Sequence, residues 1–184
     1  MGQRTTATVA LLAGVVLVAS GCGSNTDGTA TPSKVTDTSA ATAALWDPCT
    51  QVTDQMLRRI GVDPSTKKSG VVGIEEPGFK VCRWNDPAHP WNYSLGVWST
   101  IHTVEDFKNK TDNVDFTAVT IDGRSGFTFR DQRYDLDEAC DLIFPANFGA
   151  VEVTIFNVSA TGRQVHPCER ASTAAEVLLP ILPH

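Results

Sequence analysis

Between residues 45 and 184 the chain carries four cysteines, Cys49, Cys82, Cys140 and Cys168, and they limit what this segment can become. No two of them form a C-x-x-C pair, and no histidine stands beside them at ligand spacing, so a zinc site is not expected. Widely spaced thiols in an exported chain are expected to close two disulfides. Four cysteines permit three connectivities, and counting alone chooses none of them.

Export is indicated at the other end of the chain. Arg4 is followed by an unbroken apolar run, "VALLAGVVLVA", from Val9 to Ala19. That is short of the roughly 20 apolar residues a spanning helix needs. A basic start, a short apolar core and small residues after it describe a cleaved export signal. The segment ends in "ASGC", with Ala19, Ser20 and Gly21 leading into Cys22, and this resembles the lipobox of bacterial lipoproteins. The resemblance implies cleavage after residue 21 and acylation of Cys22, so that the protein is held on the extracytoplasmic face of the cell membrane by lipid. Two or more acyl chains, at about 0.8 kcal/mol per buried methylene, anchor stably where one does not.

The segmentation expected is therefore a leader over 1–21, a lipidated cysteine with a disordered tether over 22–44, and one globular domain over 45–184. The tether "GSNTDGTATPSKVTDTSAATAA" has no aromatic residue and too little apolar surface to offset its chain entropy. A chain of that length reaches about 25–30 Å root-mean-square. The formal charge is −6, and the leader contains Arg4 and no acid, so its removal leaves the protein more acidic still. An acidic chain without a basic run argues against a nucleic-acid partner.

Within 45–184 the periodicities predict an α+β fold: an antiparallel, curved sheet with N- and C-terminal helices covering one face. "WDPCTQVTDQMLRRIG" reads as a helix, with Thr53 able to cap it and Gly61 ending it. "KVCRWND" and "WNYSLGVWS" read as strands, the second with Trp91, Tyr93, Leu95 and Val97 inward. "TVEDFKNK" is a short helix, and "FTAVTIDGRSGFTFR" a hairpin turning at Asp122-Gly123. "ACDLIF" and "AVEVTIFNV" form another antiparallel pair, and "HPCERASTAAEVLLPILP" a closing helix with Pro167 in its first turn. Each half then places one cysteine at a helix start (Cys49, Cys168) and one on a strand (Cys82, Cys140). The pairing expected is Cys49 with Cys82 and Cys140 with Cys168.

Taken together, "DPCTQVTDQMLRRIG", "CRW", "YSLGVW", "IDGRSGF", "ACDLIF" and the closing "HPCERASTAAEVLLPILP" resemble a family of small actinobacterial cell-envelope lipoproteins, which includes mycobacterial Lpr-type members. Their four-cysteine domain has no assigned function. The resemblance spans nearly all of 45–184 and implies export, lipid anchoring and a disulfide-linked domain. It brings no catalytic residues.

The remaining candidates are weak. Ser65 and Lys68 stand at S-x-x-K spacing, but after Asp63-Pro64, without a following S-D-N or K-T-G, and read as a polar loop. "RDQRYDLDEACD" gathers Asp131, Asp135, Asp137, Glu138 and Asp141 without EF-hand spacing, and with Arg130 and Arg133 among them it reads as a self-paired loop. His89, His102, His166 and His184 are scattered. Trp98 falls out of phase with the inward face of its strand and is the candidate partner-facing aromatic.

No catalytic residue, metal or cofactor is expected. The reading is a non-enzymatic, lipid-tethered module that binds an envelope protein or wall component. The alternative is a carrier or sensor that encloses an apolar ligand between sheet and helices, and an envelope hydrolase ranks behind both. The leader makes the first prediction. Intact mass spectrometry is expected to show the mature chain beginning at an acylated Cys22, and Cys22→Ala to leave an unprocessed precursor; an unacylated residue 22 in the wild type overturns the lipoprotein reading.

Overall fold

A computed structural model describes residues 37–184; the leader, Cys22 and the tether up to residue 36 lie outside the described residues. Residues 37–44, expected to end the tether, instead form helix α1 (Thr38–Ala43). The Asp37 carboxylate caps it by accepting from the amides of Ser39 and Ala40. Lys80 Nζ donates to the carbonyls of Ala43 (3.0 Å) and Leu45 (2.9 Å), where a cation suits the free carbonyls of a helix end.

The single helix expected at 46–61 is two. α2 (Pro48–Gln51) is capped by Asp47, and α3 (Asp54–Ile60) by Thr53, whose hydroxyl accepts from Met56. Thr53 and Val52 take extended backbone, which splits the run. Gly61, at φ 94°, then ends α3 in the left-handed region where a side chain is strained.

Seven strands follow: β1 (Asp63–Ser69), β2 (Phe79–Asn85), β3 (Tyr93–Thr100), and, after α4 (Val104–Lys108), β4 (Asn113–Ile121), β5 (Arg124–Asp131), β6 (Ala139–Ala146) and β7 (Gly149–Asn157). The chain closes with α5 (Pro167–Leu178), which His166 caps by accepting from Cys168 N. The strands form one open antiparallel sheet in the order β1-β2-β3-β7-β6-β5-β4. Two meanders, β1–β3 and β4–β7, thus meet along β3 and β7. The connection from central β3 to edge β4 carries α4 across the sheet. At the β4–β5 turn Asp122 (φ 47°) and Gly123 (φ 82°) both take positive φ, as a type I′ turn requires. The β6–β7 turn is Asn147-Phe148, one step later than the expected Pro145-Ala146-Asn147, because Pro145 and Ala146 still pair with Ala150 and Gly149.

The two faces of the sheet differ. On one, Cys82, Trp84, Leu95, Val97, Leu142, Phe144, Val151, Val153 and Ile155 are buried against Leu57 of α3 and Ala171, Ala174, Ala175 and Leu178 of α5. Each fully buried aliphatic or aromatic side chain contributes about 1.5–3 kcal/mol, so this layer dominates stability. The opposite face holds a smaller core, in which Val104 and Phe107 of α4 pack on Phe129, Ile143 and Ala150. Trp91 departs from its expected inward position. β3 begins at Tyr93, so the period-two rule does not reach residue 91, which is 39% exposed on the preceding loop.

Both disulfides have the expected pairing. Cys49–Cys82 ties α2 to β2, and Cys140–Cys168 ties β6 to α5, with Cα separations of 5.0 and 5.1 Å. They span sequence separations of 33 and 28 residues. For loops of that size the chain-entropy model gives about 3.5–4 kcal/mol each, against total stabilities of about 5–15 kcal/mol. Denaturant titration of Cys140→Ala with Cys168→Ala is expected to show a loss of about 3 kcal/mol or more; a loss under about 1 kcal/mol contradicts a structural role for this bridge.

Candidate functional site

The face away from α5 carries a cavity of about 530 Å³. Its floor is made of residues from five neighbouring strands, set in rows by the registers. One row runs Arg83, Gly96, Thr154, Asp141 and Phe129 from β2 to β5. The next runs Val81, Trp98, Glu152 and Ile143. Gly96 makes the floor possible: a Cβ there would stand 2.9 Å from Trp98 Nε1, so only glycine lets the indole lie flat against the strand. Trp98, the candidate aromatic, is therefore half-buried in the cavity.

The walls are aromatic. Phe79 meets Trp98 edge-on at 6.2 Å, Phe107 meets Phe129 at 5.8 Å, and Tyr134 meets Phe156 at 5.0 Å. α4 supplies Phe107, and the turn after it supplies Lys110, whose ammonium lies 5.0 Å from the Phe107 ring centre. Trp91 sits at the rim because the buried Asp86 carboxylate accepts from Asn92 N (2.6 Å), Asn92 Nδ2 (3.0 Å) and Tyr93 N (3.3 Å), which fixes the loop.

Two carboxyl groups share the floor. Thr154 Oγ1 lies 2.8 Å from Asp141 Oδ1 and 3.2 Å from Glu152 Oε1. A hydroxyl has one proton to donate, so both contacts are satisfied when one of the carboxyls is itself protonated. Burial, the charge of Asp141 and a hydrogen bond to it hold Glu152 well above the usual carboxylate range. Burial also raises Asp141, while hydrogen bonds from Glu152 and Thr154 pull it back. The two carboxyls thus hold a proton between them above the usual carboxylate range, and the pair titrates as a unit.

Beside them are two N–H donors without acceptors. Arg83 Nε and Trp98 Nε1 are both buried and unbonded among the described residues. Leaving a buried donor unpaired costs about 1–3 kcal/mol, more for a charged one. A largely apolar cavity with a few convergent polar groups is the usual form of a small-molecule site.

The other sequence candidates fall elsewhere. Ser65 and Lys68 lie exposed on edge strand β1 instead of a loop, and Ser65 does not open a helix. Of the acidic run, Asp131 pairs with Arg133, and Asp137 and Glu138 pair with Arg163. Only Asp141 turns to meet an acid from another strand. His166 is occupied in capping α5, and His102 packs against Phe79 at 5.1 Å. The space between sheet and helices, where the alternative reading placed a ligand, is filled by the larger core; a cavity of only about 140 Å³ remains there, beside Tyr93 and Arg170. Glu152, Thr154 and Arg83 were not foreseen. The available signal was a single acid inside each of two adjoining apolar strands, Asp141 in "ACDLIF" and Glu152 in "AVEVTIFNV".

The chain belongs to a family described as "Protein of unknown function (DUF3558)", whose model matches residues 17–180. No curated protein and no solved structure matches it.

The carboxyl pair carries a signed pH dependence. Both groups are raised above their ordinary values of 3.8 and 4.5, so the folded state holds more protons than the unfolded one above that range. Their contribution is fully favourable below about pH 4 and is lost as pH rises through the folded-state values. Glu152→Gln keeps a donor toward Asp141 and removes the ionisation. Thermal melts from pH 4 to 8 are expected to show the variant gaining in Tm relative to the wild type as pH rises; parallel curves contradict proton sharing.

Proposed function

We propose that the protein is a tethered ligand-binding module of the cell envelope. In this reading it is one of the Lpr-type lipoproteins, anchored through Cys22, and its cavity takes a small, largely apolar molecule. The carrying observation is the cavity itself: about 530 Å³, inside the 300–1,000 Å³ span of small-molecule sites, with aromatic walls and a polar floor.

The surface around the cavity supports the same reading. Val72 and Ile74, 79% and 69% exposed, stand on the β1–β2 loop beside the lining residue Val71. Trp91 and Tyr134 line the mouth and are themselves exposed, and Leu136 follows on the β5–β6 loop. Clustered exposed apolar side chains mark a place where apolar partners are met. The disulfides and the sheet hold the walls on regular elements, which lowers the ordering cost of binding. Ser65 and Lys68 lie on the edge strand away from this cavity, and the reading assigns them no role.

Full-length protein is expected to bind the neutral dye N-phenyl-1-naphthylamine one-to-one, with micromolar affinity and quenching of tryptophan emission. Ser94→Trp, which fills the cavity from its floor, is expected to weaken binding at least tenfold with unchanged circular dichroism. Dye binding that ignores this substitution overturns the reading.

A further inference from the structure

The floor of the cavity is unbalanced in a way that names the head of its ligand. Its acids are satisfied internally: Asp141 and Glu152 both meet the Thr154 hydroxyl. Asp131 is taken by Arg133. Its cations are not satisfied. Among the described residues Arg83 and Lys110 form no salt bridge, and Lys110 rests on an aromatic ring instead of a carboxylate.

The unpaired donors also converge. Arg83 is paired with Gly96 across β2 and β3, and Trp98 Nε1 lies over Gly96. Arg83 Nε and Trp98 Nε1 thus belong to adjoining positions of the same floor, and both are donors with no acceptor. Donors alone do not recognise an amine. They recognise oxygen acceptors, and a guanidinium does so most strongly when the acceptor is charged.

Resting on the cavity reading above, we propose that the ligand is an apolar molecule with an anionic oxygen head, a carboxylate or a phosphate. The head sits on this floor and accepts from Arg83 Nε and Trp98 Nε1. The apolar body runs along Phe79 and Phe129 toward the rim at Trp91 and Tyr134. Lys110 contributes a cation on the wall.

Calorimetric titration of the full-length protein with four probes of equal chain length tests this: dodecanoate, dodecyl phosphate, dodecanol and dodecylamine. At least one of the two acids is expected to bind tenfold or more tighter than dodecanol, with dodecylamine weakest, and the tighter acid identifies the head. Arg83→Met is expected to bring the acids to the level of dodecanol and leave dodecanol unchanged. Trp98→Phe, which keeps a ring and removes the donor, is expected to lower the preference severalfold, and it decides the matter if the Arg83 variant does not fold. Equal binding of acids, alcohol and amine, or an acid preference that survives both substitutions, overturns the anionic head while the cavity reading stands. If none of the four probes binds, both readings fall.

Discussion

The fold depends on the ladder between β3 and β7. Eight registered pairs, from Tyr93 with Asn157 to Thr100 with Ala150, join two meanders that are otherwise separate strands of the chain. The partners lie about half a hundred residues or more apart in sequence, so the loop-closure entropy of this pairing is met before its contacts form. Its return comes from burial on both faces. Leu95, Val97, Val151, Val153 and Ile155 lie under α5, and Trp98 and Glu152 lie on the other side. A slip by one residue would exchange these two sets, so the register is held by what each face must accept.

The candidate site follows from that seam. Arg83, Gly96 and Trp98 belong to the first meander, and Asp141, Glu152 and Thr154 to the second. Neither half contains the whole floor. The polar groups sit on strands in mid-sheet, flanked by hydrogen-bonded neighbours, which is a more exact support than loops provide. Of the aromatic walls, Phe107 comes from α4 and Tyr134 from the β5–β6 loop, while Phe79, Phe129 and Phe156 stand on the strands themselves.

Much of the architecture was legible because local signals agreed with one another. Thr53 and Gly61 bracket α3, Asp122-Gly123 makes its turn, and Tyr93, Leu95 and Val97 alternate as a half-buried strand must. Trp91 misled, since alternation says nothing about where a strand starts; a loop held by Asp86 ends two residues later than parity implied. Composition likewise missed α1, whose stability comes from Asp37 and from Lys80, distant in sequence. The site was the least legible part. Asp141 looked like one of five loop acids, and Glu152 like an interruption in an apolar strand. Their meaning lies in a cross-strand juxtaposition, which no local pattern encodes. Arg83 was equally silent, because an arginine on a strand next to the sheet edge is ordinarily a solvated one.

Of the four cysteines between residues 45 and 184, the disulfides pair first with second and third with fourth, and neither spans the seam. For a polypeptide threaded through a membrane from its amino end, this order has a practical meaning. Cys82 arrives while Cys140 and Cys168 are still behind, so among the four bridged cysteines the first pair can only close correctly. The second then has two thiols left to choose from. Oxidation of these four cysteines in order of arrival gives the native connectivity without any shuffling.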